Sequence, residues 1–241
     1  MSFFWKQSEY NYKAADKRQR AMIGQTRQGV LLLADISGYT SLLASTELEK
    51  ASKIIQYLIE RIYNATSLPF MVNEIEGDAL YIFTVHEGQG KEALFIQSLK
   101  QLEAYADVFY HAMEELSWSN LKDDAMFRKL LSEVSLKFVV HYGTFKIVQT
   151  GSFVKLVGAD GILAHRLLKN SVDSDSYFLF TRAFLDLDED MAHAKAMTHV
   201  EEIQYFGTVD VGVRTFDYDE EHERRHGQEH DHLTRRQGII I

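Results

Sequence analysis

Leu31-Leu32-Leu33-Ala34-Asp35-Ile36-Ser37-Gly38-Tyr39-Thr40 is the stretch that decides how this chain folds. Val30 to Ala34 is a continuous apolar run of strand length, which predicts a central strand buried on both faces. The strand ends by delivering a carboxylate, Asp35. A second segment, Glu74-Ile75-Glu76-Gly77-Asp78-Ala79-Leu80, delivers another in a tight Gly77-Asp78 turn between two strands. Two carboxylates brought together at strand ends make a hard-cation site, and such cations commonly serve phosphate chemistry.

Working outward, Ser45 or Thr46 reads as the N-cap of a helix with Glu47 and Glu49 in its first turn. Ile54, Ile55, Leu58, Ile59 and Ile62 follow at helical spacing and form its buried stripe. Phe70 to Ile75 and Ala79 to Val85 read as the two strands joined at Gly77-Asp78. Lys91 to Leu116 reads as a long amphipathic helix and Leu121 to Leu131 as a further helical piece. Leu136 to Tyr142 and Phe145 to Thr150 are expected to form a hairpin around Gly143, glycine being suited to tight turns. Gly158 to Leu168 follows as a short helix, Tyr177 to Thr181 as a strand, and Thr208 to Tyr218 as a last alternating strand. That order predicts an α+β fold, with helices packed on a mostly antiparallel sheet.

The organisation expected is a helical extension over residues 1–28, one domain over 29–218 and a charged tail over 219–241. The extension carries Lys17-Arg18-Gln19-Arg20. In the tail, His222, His226, His230 and His232 stand among acidic residues. Such spacing suits at most a weak, adventitious transition-metal site. The 241 residues, 46% apolar, are ample for a sizeable core. No cysteine is present, so disulfides and thiolate metal sites are excluded, and a reducing, cytoplasmic setting is expected. A net charge of −9 argues against a general nucleic-acid binder. No apolar run approaches the roughly 20 residues that span a bilayer, so no membrane partner is expected.

Leu31 to Thr40 resembles the first metal-binding motif of class III nucleotide (adenylate/guanylate) cyclases, a strand ending in Asp-Ile-x-Gly-Phe-Thr. Glu74 to Leu80 resembles their second motif, a hairpin bearing Gly-Asp. Leu136 to Gly143 with Leu156-Val157-Gly158 to Leu168 resembles a third region, in which a Gly opens a helix carrying an Arg eight residues later. The likeness runs in order over residues 29–182. More narrowly, Glu74 to Asp78 and Ala164-His165-Arg166-Leu167-Leu168-Lys169-Asn170 resemble an uncharacterised bacterial subfamily of cyclase-homology proteins.

The resemblance implies a ferredoxin-like nucleotide cyclase fold acting as a homodimer on a nucleoside triphosphate with Mg²⁺ or Mn²⁺. By position, Asp35 and Asp78 would be the metal ligands, with the Ile36 carbonyl as a third. Backbone N–H groups of Ser37, Gly38 and Tyr39 would cradle phosphate oxygens. Arg166 would stabilise phosphate charge as the catalytic residue, acting across a head-to-tail dimer interface. Three positions depart from the family pattern. The base-reading positions hold Glu74 and Lys155, both of reversed sign, and the ribose-orienting position holds Ile162, which has no hydrogen bond to give.

Each feature also has a plain structural reading. Asp35 and Asp78 can serve strand end and turn, Arg166 a surface salt bridge, His165 packing, and Glu74 with Lys155 an ion pair across the sheet. The expectation is a degenerate cyclase-homology domain that binds nucleotide and metal as a regulatory module. The alternatives are a live cyclase of altered base choice and a pure interaction domain. In the former, Glu74 would accept from an exocyclic amine such as cytosine N4.

Overall fold

A computed structural model of the chain describes residues 13–45, 47–118, 131, 133–193 and 199–215. The expected tail, the first twelve residues of the expected extension and nearly all of the helical piece at 121–131 lie outside these. Helix α1 covers residues 13–21, and β1 runs over Thr26–Ser37. Then come α2 (Tyr39–Ser45), α3 (Leu48–Ala65), β2 (Met71–Glu76), β3 (Ala79–Val85) and α4 (Lys91–Trp118). The second half holds β4 (Ser135–Thr150), β5 (Phe153–Val157), α5 (Ala159–Leu167) and β6 (Tyr177–Thr181). It closes with α6 (Arg182–Leu185), α7 (Glu189–His193), β7 (His199–Ile203) and β8 (Gly207–Thr215).

The strands form one sheet in the order β2-β3-β1-β4-β6-β8-β7, with β5 paired to β4 off that path. β4 and β6 run parallel, while the other pairings among the described strands are antiparallel. The α+β class read from the sequence holds.

β1 lies centrally because Gly29 to Ala34 are buried without a break, which leaves no polar face to give to water. Its side chains alternate between two cores. Val30, Leu32, Ala34 and Ile36 face α3 and α4, whereas Leu31 and Leu33 face the layer that includes α5. On the first side α3 presents Ala51, Ile54, Ile55, Leu58 and Ile62, and α4 answers with Leu94, Leu102, Tyr105 and Phe109. Each large apolar side chain so buried is worth about 1.5–3 kcal/mol. On the second side Leu163, Ala164 and Leu167 of α5 cover Tyr81, Phe83, Val139 and Leu179.

Several local expectations are corrected. Ser45 closes α2 rather than opening α3, whose N-cap position is Glu47, with no side-chain capping bond. The expected hairpin at Gly143 is one unbroken strand of 16 residues. Gly143 pairs with Gly29 in the middle of the β1–β4 ladder. It is glycine for room: a Cβ there would stand 2.5 Å from the Asp160 side chain. The turn comes later, at Gly151 with φ 62°, and leads into β5, which the sequence reading did not separate from its surroundings. β7 was likewise not anticipated. The last strand spans Gly207–Thr215, and residues 216–218 lie outside the described part.

β1 begins at Thr26, within the segment expected as an extension. The chain just before it is stitched to β4, where the Gly24 N–H donates to the Ile147 carbonyl (2.7 Å) and the Ile147 N–H to the Gln25 carbonyl (3.0 Å). No helix among the described residues is long and apolar enough to cross a membrane.

Asp160 accepts the Thr144 N–H at 2.6 Å from the space that Gly143 leaves open. Gly143→Ala should therefore lower stability by about 1–3 kcal/mol through overpacking and loss of that bond. Urea unfolding measures it, with a shifted midpoint and an unchanged slope expected.

Candidate active site

Asp35 stands two residues before the end of β1, where the strand leads into α2. The β-register places it between Ala79 on β3 and Lys137 on β4. Asp78 stands beside it because Gly77, at φ 62°, makes the β2–β3 turn tight, a backbone setting that suits glycine. The Ile36 N–H closes the arrangement by donating to the Asp78 carbonyl at 3.2 Å. The two motifs are thus brought together.

On the β4 side of Asp35 the structure places a residue that the motif reading did not include. Lys137 Nζ lies 3.0 Å from Asp35 Oδ2, with the two side chains only 21% and 17% exposed. Burial pushes the Asp78 carboxyl above its ordinary range; Asp35 pushes the same way, and its own backbone hydrogen bond and Lys137 pull back. The signal in the sequence was one charge amid the apolar run Leu136-Lys137-Phe138-Val139-Val140. Its meaning depends on which strand lies alongside.

Ser37 and Gly38 lead from β1 into Tyr39, the first residue of α2. Gly38 has φ 82°, and a Cβ on it would meet the Glu133 carbonyl oxygen at 2.2 Å. This connection is shaped by backbone packing, and its Gly38 carbonyl accepts the Leu42 N–H at 3.0 Å.

Glu74 and Lys155 are brought together as well. Lys155 Nζ sits 3.1 Å from Glu74 Oε2, an ion pair joining β2 to β5. Below it Tyr81, almost fully buried, has a hydroxyl with no hydrogen-bond partner. Burial raises that phenol's pKa, and Glu74 and Asp160 add to the effect. The His165 ring meets Tyr81 edge-on at 4.7 Å, a packing contact. Asp160 is held below the usual carboxylate range, by His141 first and by the Thr144 N–H, against the opposing effect of burial. His141 Nε2 lies 3.4 Å from Asp160 Oδ1, at ion-pair rather than hydrogen-bond geometry, while its Nδ1 meets Thr181 Oγ1 at 2.9 Å.

Ile162 and Arg166 lie one turn apart on α5, and Ile162 is 54% exposed. Arg166 makes its contacts away from the carboxylates. Its Nη1 donates to the Gln204 carbonyl at 2.9 Å, and its guanidinium lies 5.2 Å from the centre of the Tyr205 ring. Tyr205 holds φ 73°, a conformation uncommon outside glycine.

No cluster of three or more His, Cys, Asp or Glu side chains gathers to hold a metal among the described residues. What Asp35, Asp78 and the Ile36 carbonyl offer is an all-oxygen set, which suits Mg²⁺ or Mn²⁺ rather than a soft metal. The raised Asp78 carboxyl, close to a second carboxylate, is a position that gains from a cation. The residues fit one hard cation, with Asp35 Oδ2 already committed to Lys137.

Residues 55–177 match the family described as Protein of unknown function (DUF2652). No curated protein matches the chain. Among solved structures it is similar to the adenylyl cyclase CyaB from P. aeruginosa. The TM-score there is 0.60 at 14% identity, over 80% of this chain and 95% of that one. It is similar to the guanylyl cyclase Cya2, with TM-score 0.55 and 14% identity over 79% and 94%. A third is a class III adenylyl cyclase-like ATP-binding protein from Pseudomonas aeruginosa, with TM-score 0.52 and 16% identity over 68% of this chain and 35% of that one. At such identities the likeness establishes the fold, that of a class III cyclase domain.

Two outcomes are expected. Asp78→Asn should raise thermal stability at pH 7, because the folded chain holds this carboxyl above its unfolded pKa and ionising it costs stability. The gain should shrink as pH falls through the Asp78 pKa and vanish below about pH 4, where both forms are neutral. A double-mutant cycle of Glu74→Gln with Lys155→Gln should give a coupling of about 1 kcal/mol or less, as for a half-exposed pair.

Proposed function

The chain belongs to the family described as Protein of unknown function (DUF2652), and we propose that it is a degenerate class III cyclase-homology domain working as a binding module. In this reading a homodimer binds a nucleoside triphosphate with Mg²⁺ or Mn²⁺, serves signalling, and cyclises purine nucleotides little or not at all. Asp35, Asp78 and the Ile36 carbonyl hold the cation, which when bound neutralises phosphate charge. Backbone N–H groups of Ser37, Gly38 and Tyr39 face the phosphates, and Arg166 meets them across the dimer.

The observation that carries the reading is the Glu74–Lys155 ion pair. The two side chains at the base-reading positions spend their charges on each other, so neither is left to pair with a purine edge. Ile162 adds an exposed apolar side chain where the ribose would need a donor. Arg166, bonded to the Gln204 carbonyl, must first leave that contact to reach a phosphate. Loss of a single positioning or charge-stabilising group costs on the order of 10²–10³ in rate. The neighbour described as an adenylyl cyclase-like ATP-binding protein lends the binding role support.

Thermal unfolding with ATP, GTP, CTP or UTP, each with and without Mn²⁺, tests the binding. A Mn²⁺-dependent stabilisation is expected with at least one nucleotide, following RT ln(1 + [L]/Kd), and Asp35→Ala/Asp78→Ala should abolish it. Mass spectrometry of the same incubations should find no cyclic product. A cyclic nucleotide with pyrophosphate, absent from the double variant, would instead establish a live cyclase and name its base.

A further inference from the structure

The β1–β4 register sets Lys137 directly opposite Asp35, and the ammonium reaches Asp35 Oδ2 at 3.0 Å. Its influence also extends to Asp78. On the far side β6 sets Tyr177 beside Lys137, with the Tyr177 hydroxyl taken by the Asn170 amide at 2.7 Å. The ammonium therefore stands in a partly desolvated row, against Asp35 with Asp78 beyond it, while Glu201 acts from the Tyr177 side. There a unit charge a few ångströms away counts for far more than in open water.

A pair of divalent ions would bring four positive charges to two carboxylates, and Lys137 already supplies a fifth. An ion seated against Asp35 Oδ2 would have to displace the ammonium or stand next to it. A lysine is a compact charge with three donors on a flexible stem, able to hold a carboxylate and a phosphate oxygen together. We infer that Lys137 is a resident cation filling the place of one divalent ion, so that each site takes a single hard cation with its triphosphate ligand. Lys137 is then the residue that sets metal number. This rests on the carboxylate pair being the metal and phosphate site proposed above.

The full chain is titrated with Mn²⁺ alone, free ion being followed by its EPR signal. Manganese is then counted by native mass spectrometry in complexes with inorganic triphosphate, a probe independent of the base. Wild type should carry one Mn²⁺ per chain with triphosphate. Lys137→Met should bind Mn²⁺ alone on the order of tenfold more tightly and carry two with triphosphate. Lys137→Arg, which keeps the charge, should stay at one. A lysine that merely ties the strands together would lower the melting temperature on substitution and leave both metal readouts unmoved. That result overturns the inference, as do two Mn²⁺ per wild-type chain, which would leave the binding module standing. Absence of Mn²⁺ binding in wild type and in Lys137→Met would overturn both. Should Lys137→Met fail to fold, the wild-type and Lys137→Arg counts still decide.

Discussion

The pairing of β1 with β4 is the constraint on which the rest of this molecule depends. Twelve consecutive residue pairs, from Thr26 with Lys146 to Ser37 with Ser135, lock two central strands in one register. A slip by one residue would send every side chain of β1 to the opposite face. Both cores would be lost, since Leu32 and Leu33 belong to different ones. The register that keeps the cores apart also sets Asp35 against Lys137 and Gly29 against Gly143. Core packing and site electrostatics are thus fixed by a single choice.

Much of this was legible in the residues. Val30 to Ala34 announced a doubly buried strand, and Gly77-Asp78 announced the turn that returns a carboxylate to its end. Glu74 and Lys155 carried reversed signs at paired positions, and an ion pair was among the readings the sequence allowed; it forms at 3.1 Å. Lys137 stayed hidden for a physical reason. The residue facing it is named by a long-range pairing, which one chain read from end to end does not display.

Gly143 misled because glycine answers two needs, a turn or a close approach, and its neighbours do not say which. In the fold the close approach wins, to the side chain of Asp160. β7 escaped notice because His199-Val200-Glu201-Glu202-Ile203 looks too charged for a strand. Its buried Glu201 is made acceptable by the Ser171 N–H and hydroxyl and by His199, all bonded to one carboxylate oxygen. Such compensation arrives only when distant segments meet.

β4 has one more property, a mechanical one. At 16 residues it extends about 50 Å if fully drawn out, well beyond an ordinary strand. Near its start hangs the Asp35–Lys137 pair; near its end Val148 carries Lys155 of β5, and through it Glu74. One edge of β4 is paired to β1 from Ser135 to Lys146, while the other is held by β6 at residues 137–140 and by β5 at residues 146–150. The carboxylate end and the arm that holds Glu74 thus hang from one continuous strand, tied by a single backbone.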